Sequence, residues 1–316
     1  MKRALLLIAF SLAFTTLSAQ EAKLDKALVV KRLASIMNRN YVYPEKGKAM
    51  HDLVKSKMEK GEYDHLTSHK EFADQLQADL RSIINDKHIR VVYDPERFDA
   101  IRSGVRGGGR KPPHNYGFQE VKQLEGNIGY LDLRGFADAR MAEDVARESM
   151  EELMQNDALI FDLRKNGGGS PSMIRFISSY LFGDEPVHLN DFYWRPADRY
   201  EESWTNPEFA SIRKPNIPIY VLTSNYSFSG AEEFSYNLKH LKRATIIGEV
   251  TGGGAHPGSP SVISGGFVVN VPRGRAINPV TKTNWEGIGV IPHIKIDSDK
   301  ALDKALELAR KALTER

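Results

Sequence analysis

Cysteine is absent from all 316 residues. Disulfides, thiol nucleophiles and thiolate metal sites are therefore excluded, and an apolar core alone must hold the fold. A surplus of one charge is also missing. Forty-four Lys and Arg face 41 Asp and Glu, and the formal +3 is too small and too evenly spread for nucleic acid to be the main partner. No motif recurs at a fixed period, which argues against a solenoid. Long apolar runs are lacking too: Ala4 to Phe14 follows Lys2 and Arg3, and Thr15, Thr16, Ser18 and Gln20 interrupt it before it reaches membrane-spanning length. That pattern predicts a secretory signal peptide over 1–20, cleaved after Ala19 or Gln20. No cysteine follows it, so a lipoprotein anchor is excluded. The expectation is a periplasmic or secreted protein with no stable membrane anchor after cleavage.

What is present is an ordinary globular composition, 41% hydrophobic, in a chain long enough for two domains. Leu24, Ala27, Leu28, Val30, Leu33, Ala34 and Met37 fall at helical spacing, and Tyr41-Val42-Tyr43-Pro44 ends that helix. A second helix is predicted from Glu45 to Lys60. A third opens on the capping box Ser68-His69-Lys70-Glu71, with Phe72, Leu76, Leu80 and Ile83 on one face. Residues 21–88 read as a small helical bundle and 89–316 as a second domain. Ile89 to Tyr93 is strand-like, and 103–113, with a triple glycine, reads as a surface loop. From residue 117 strands and helices alternate. A hairpin (Val121–Leu124, Ile128–Leu133), a helix (Ala142–Met154), a buried strand (Ala158–Leu163) and a helix (Pro171–Phe182) come first. A strand (Ile217–Leu222), a helix (Gly230–Leu241), a short strand (Thr245–Gly248), a strand pair around Ser261 to Val271 and a terminal helix (Asp299–Leu313) follow. This order predicts an α/β layer fold.

The segment with most chemical content is Thr223-Ser224-Asn225-Tyr226-Ser227-Phe228-Ser229-Gly230-Ala231-Glu232, lying between a strand and an amphipathic helix. A serine at a helix N-terminus presents its hydroxyl beside unpaired backbone N–H groups that stabilise an oxyanion. Ser229-x-x-Glu232 also fits a plain capping box, and Ser224 and Ser227 compete for the role. A second strand runs into glycines at Asp162-Leu163-Arg164-Lys165-Asn166-Gly167-Gly168-Gly169, where the backbone can approach a ligand closely. Asp162 and Arg164 read as residues that hold this loop. Gly248 to His256 forms a third glycine-rich stretch. Asp86-Lys87-His88 stands where the helices meet the first strand, and Asn284-Trp285-Glu286-Gly287 adds a carboxylate. His65 and His69 straddle the Thr67/Ser68 cap and lack a third ligand, so no metal site is predicted. Neither glycine run fits a Walker or dinucleotide pattern.

Together these segments resemble peptidase family S41, which includes the C-terminal processing peptidases, the tricorn core and the repeats of interphotoreceptor retinoid-binding protein. The resemblance implies a crotonase-like (spiral ββα) core, no cofactor, and a peptide or protein substrate. It implies Ser229 as nucleophile, with Gly230, Gly167 and Gly168 supplying the oxyanion hole. Processing peptidases carry a lysine base where this chain has Gly254, so the base is expected elsewhere. His88 stands where the tricorn-type branch has a catalytic histidine, with His256 as a competitor expected to be solvated, and Glu286 matches the family's orienting glutamate. The chain departs from that branch at Lys87, where a serine is usual, and at Pro292-His293, where Pro-Asp is usual. The stretch from Asp94 to Gly117 is too short for a PDZ domain. The alternative is a non-catalytic binder of an apolar ligand or envelope partner using the same cleft.

Overall fold

The structure, a computed structural model, describes residues 24–105 and 114–315. The predicted signal segment and most of the glycine-rich loop at 103–113 lie outside the described residues. Helix α1 (Lys26–Asn40) starts where the Asp25 carboxylate accepts Leu28 N–H at 2.9 Å, and its buried face is Val29, Val30, Leu33, Ala34 and Met37. Pro44 forces the break and opens α2 (Pro44–Glu59), its ring pre-set for the first helical position. Gly47 lets the two helices touch, since a Cβ there would sit 2.7 Å from the Met37 carbonyl oxygen. Helix α3 (His69–Ile83) is capped by Ser68, as its sequence predicts.

The apolar interior of these helices does not close on itself. It continues through Ile89, Val91, Ile263, Phe267, Val269 and Val271. These residues belong mainly to an antiparallel sheet in which β10 (Phe267–Pro272) lies between β1 (Arg90–Tyr93) and β9 (Gly258–Val262). The helices and strands from the far end of the chain therefore share one core. A chain break at residue 88 would open it, exposing side chains worth about 1.5–3 kcal/mol each on burial.

The second layer is a six-stranded sheet in the order β12-β8-β7-β4-β3-β2. Its strands are β2 (Phe118–Leu124), β3 (Ile128–Leu133), β4 (Ala158–Asp162), β7 (Ile219–Thr223), β8 (Thr245–Gly248) and β12 (Ile294–Lys295). Only β2 runs antiparallel to its neighbour, through the predicted hairpin with β3. Both faces of the central strands are covered, which is why β4 and β7 read as continuous apolar runs. Helices α5 (Ala139–Leu153), α6 (Pro171–Ser179) and α7 (Gly230–His240) contribute to one core, where Phe161 and Phe234 meet at 5.3 Å. Helix α8 (Ala301–Thr314) packs Ala301, Ala305 and Ala309 into the other.

Several bounds differ from expectation. Helix α5 begins three residues early because Asp138 caps it, with a kink at Ala142, and α6 ends at Ser179. A short helix α4 (Pro95–Arg102) and a small sheet of β5 (His188–Trp194), β6 (Arg199–Trp204) and β11 (Gly274–Ile277) have no counterpart in the sequence reading. Among the described residues no helix is long and apolar enough to cross a membrane. The carboxyl ends of parallel β4, β7 and β8 share one edge of the large sheet, where open α/β sheets place their ligands.

Candidate active site

Two loops meet at that edge, and Asn166 ties them together from a fully buried position. Its amide donates to the Leu133 carbonyl at 2.8 Å, its side-chain oxygen accepts Gly168 N–H at 2.8 Å, and its backbone carbonyl accepts Phe228 N–H at 3.1 Å. Asp162 and Arg164 brace the same loop: the guanidinium bonds both carboxylate oxygens at 2.9 and 2.5 Å, and Tyr130 donates to Asp162 at 2.8 Å. Arg164 holds this carboxylate below its ordinary range in spite of burial.

Ser224 and Ser227 are consumed by the loop. Their hydroxyls donate to the carbonyls of Arg164 at 2.6 Å and Leu163 at 2.7 Å. Ser229 differs. Its backbone holds φ 56° and ψ −114°, a region that costs a non-glycine residue about 1–3 kcal/mol and is kept only when its surroundings enforce it. Here the enforcing group is Glu232, fully buried, whose carboxylate accepts Ser229 N–H at 2.8 Å, Gly253 N–H at 2.6 Å, Gly254 N–H at 2.8 Å and the Thr251 hydroxyl at 2.6 Å. Burial raises its pKa while these four donors pull the other way. Glu232 thereby locks the serine elbow to the third glycine stretch.

The Ser229 hydroxyl lies 3.0 Å from His88 Nε2. Phe228 lies against this imidazole, with ring centres 4.6 Å apart. The absence of a lysine at 254 has a steric counterpart: a Cβ at Gly254 would stand 2.3 and 2.4 Å from the Phe228 ring and 2.7 Å from His88 Cε1. The imidazole and phenyl ring occupy the space into which a side chain at 254 would start. Burial pushes His88 down to about 4, with Asp86 pulling upward and His256, Arg90 and Arg81 adding to the depression. The ring is neutral at pH 7, the form that accepts a proton.

The partner beyond His88 is not the one expected from resemblance. Glu286 accepts Ala255 N–H at 2.5 Å and lies 3.5 Å from His256 Nδ1, whereas His88 Nδ1 has no hydrogen-bond partner. The carboxylate beside His88 is Asp86, fully buried two residues upstream, with Oδ1 3.8 Å from His88 Nδ1 and 2.9 Å from the His88 backbone N–H. The turn that carries both residues fixes this proximity locally. Glu286 projects from a different loop and reaches the same His256 nitrogen that Asp86 bonds. His256 itself, expected to be solvated, is 1% exposed: Nδ1 donates to Asp86 Oδ2 at 2.8 Å, while Nε2 is 3.4 Å from the Tyr43 hydroxyl. Tyr41 donates to the same Asp86 oxygen at 3.0 Å. Pairing with His256 and the nearby His88 keeps Asp86 ionised against its burial, and burial with the adjacent Asp86 charge pushes Glu286 up to about 7.

Asp86, His256 and Glu286 each offer a ligand atom within 4.8 Å of the others. However, the 2.8 Å contact between Asp86 and His256 is a hydrogen bond, and Tyr41 uses the same oxygen, so the cluster is arranged to share protons. Of the three glycines expected to face an oxyanion, Gly168 spends its N–H on Asn166. Gly167 lines the cavity beside Ser229. Gly230 opens α7, where helix geometry leaves its N–H without an internal acceptor.

Sequence reading missed Asn166, His256 as a buried partner, and Asp86; the Asp-x-His spacing was the one available signal. Departures from the resembled pattern have structural roles. Lys87 donates to the Gly252 carbonyl at 2.6 Å, and His293 Nδ1 accepts Ile246 N–H at 3.0 Å.

A helix-terminal serine in contact with a neutral imidazole, with glycine amides at its side, is a constellation suited to acyl transfer. The family model of peptidase family S41 matches residues 127–296, more than half of the chain, and that for the N-terminal domain of Peptidase_S41 in eukaryotic IRBP matches residues 20–107. The chain belongs to peptidase family S41. A tail-specific protease of Haemophilus influenzae is 29% identical over 129 residues, covering 40% of this chain and 17% of that protein. The chloroplastic carboxyl-terminal-processing peptidase 2 of Arabidopsis thaliana is 31% identical over 168 residues, covering 52% of this chain and 31% of that one. The chain thus spans less than a third of the length of these curated relatives. A crystal structure from Parabacteroides merdae superposes with a TM-score of 0.62 at 21% identity, covering 90% of this chain and 96% of that one, and shares its fold. The α/β core with N-terminal helices is thus the fold expected from the sequence.

Proposed function

We propose that the protein is an exported serine peptidase that hydrolyses peptide bonds at Ser229. The observation that carries this reading is the 3.0 Å contact of the Ser229 hydroxyl with His88 Nε2 at a strained helix entry. In the proposed cycle the Ser229 oxygen adds to the substrate carbonyl carbon as its proton passes to His88 Nε2. The developing oxyanion receives the N–H groups of Gly230 and Gly167. The C–N bond then breaks as His88 returns the proton to the leaving amine. Water, deprotonated by the same imidazole, hydrolyses the acyl-serine ester and restores the serine.

Asp86 takes the orienting role in this reading. Its negative charge favours the imidazolium that forms transiently, and its bond to the His88 backbone fixes the turn. Glu286 acts at one remove, through His256. Export rests on the charged and apolar pattern of residues 2–20. The alternative of an apolar-ligand binder has little support, because the cavity at Ser229 holds about 220 Å³ and is lined largely by polar and cationic side chains. Digestion of a diverse peptide mixture tests the proposal. Wild type is expected to generate new termini, and Ser229→Ala and His88→Ala to generate none; cleavage retained in Ser229→Ala removes the serine mechanism.

A further inference from the structure

The cavity that opens onto Ser229 and His88 also takes in Lys87, Arg90, Arg97 and Asn270, and no Asp or Glu lines it among the described residues. The nearest carboxylate, Asp86, is fully buried behind His88 and engaged by His256, Tyr41 and the His88 backbone. Another cation, Arg81, lies underneath and donates to the carbonyls of Ile89 at 3.0 Å and Lys87 at 2.8 Å. Lys87, although tied to the Gly252 carbonyl, retains two further N–H directions. Lys87, Arg90 and Arg97 therefore border one small concave site whose lining includes no carboxylate among the described residues. Such a site focuses positive potential and favours an anionic occupant. Because it abuts the serine hydroxyl, its occupant during reaction is the part of the substrate next to the scissile carbonyl. The anionic groups of a peptide are the side chains of Asp and Glu and the terminal carboxylate.

We propose that this cavity is an anion-reading subsite in which Arg90 and Arg97, assisted by Lys87, bind a substrate carboxylate close to the scissile bond. The inference rests on the peptidase reading for the identity of the occupant as peptide. Arginine is the residue suited to this task, since its planar fork pairs with a carboxylate through two charge-assisted hydrogen bonds. Selectivity and catalysis are coupled by the placement. Burial depresses the basicity of His88 and Arg90 and Arg81 add to the depression; a bound carboxylate opposes the arginines' share, so a matching substrate favours the imidazolium that forms as Ser229 attacks.

The test is binding to Ser229→Ala, measured by fluorescence anisotropy at low salt, in two arms. One compares end-blocked peptides carrying Glu or Gln at a central position; the other compares a neutral peptide with a free or an amidated C-terminus. Charged hydrogen bonds predict about ten-fold or tighter binding of the carboxylate member in at least one arm, and which arm gains identifies its source. The gain is expected to shrink several-fold when Arg90→Gln is added. Arg90 is exposed, so that variant folds more safely than Arg97→Gln, which serves as a second check. Equal affinities in both arms, or a preference unchanged in both arginine variants, overturn the subsite. Wild-type digestion of the same peptides separates the two claims: discrimination without cleavage leaves the subsite and removes the peptidase, and cleavage without discrimination does the reverse.

Discussion

Replacing Asp86 by Asn keeps the volume and one acceptor oxygen of a fully buried side chain but removes the charge beside His88. At the observed 3.8 Å, a unit charge acting on the transient imidazolium is worth about 4 kcal/mol at an effective dielectric of about 20. Removal also leaves an NH₂ group facing either the His88 backbone N–H, at the Oδ1 position, or both His256 Nδ1–H and the Tyr41 hydroxyl, at the Oδ2 position, all of which now donate to this residue. The expected result is a fall in kcat of about 10²–10³, with little change in KM because neither group touches bound substrate. Glu286→Gln provides the contrast. Its carboxylate sits against His256 and Ala255 N–H, and an amide oxygen can replace it in the latter bond, so the loss should stay below about ten-fold. Both variants are assayed on one fluorogenic peptide, with urea unfolding to show that each is folded. A larger loss in Glu286→Gln than in Asp86→Asn, or an Asp86→Asn enzyme within three-fold of wild type, refutes the assignment of Asp86 as the orienting carboxylate.

Gly254→Ala puts a methyl group into the Phe228 ring and against His88 Cε1, and should cost about 1–3 kcal/mol of stability and at least ten-fold in kcat, read by urea unfolding and peptide turnover. Glu233, almost wholly buried, has its carboxyl pushed up to about 8 by desolvation. Because its folded pKa is raised, its favourable contribution is full below about 4.5 and is lost as pH rises through about 8. Wild type should therefore weaken by about 4 kcal/mol relative to Glu233→Gln between about pH 5 and pH 9, measured by urea titration at each pH. His88 must be neutral to accept a proton, so kcat/KM should rise with pH through a limb near about 4, well below the ordinary histidine range; an acid limb at an unperturbed imidazole value counts against the buried geometry.

How far these features can be read from sequence depends on how local they are. The cap at Ser68, the break between α1 and α2 at Pro44 and the strands β4 and β7 depend on residues a few positions apart, and all were legible, whereas the cap at Asp25 was passed over. The serine elbow was legible for the same reason, as a strand, a turn and an amphipathic helix in succession. The sheet of β5, β6 and β11 was not, because its strands are part-exposed without clean alternation and β11 arrives some 80 residues later. The buried network was harder still. His256 meets Asp86 across 170 positions, and a histidine after three glycines gives no sign that β9 and β10 fold it beneath the helices. Resemblance supplied Glu286 as the orienting acid, but the pairing it suggested does not survive the geometry: Glu286 reaches His256 Nδ1 and Ala255 N–H, and Asp86 is the acid beside His88.

The proposed serine mechanism requires Ser229 to be a nucleophile activated by His88. Its most direct test is incubation of the full chain with a serine-reactive phosphonate, followed by mass mapping of the adduct. One adduct is expected, on the peptide containing Ser229, lost in Ser229→Ala and slowed at least about 10²-fold in His88→Ala. Equal labelling of wild type and Ser229→Ala, or a rate unaffected by His88→Ala, would contradict it.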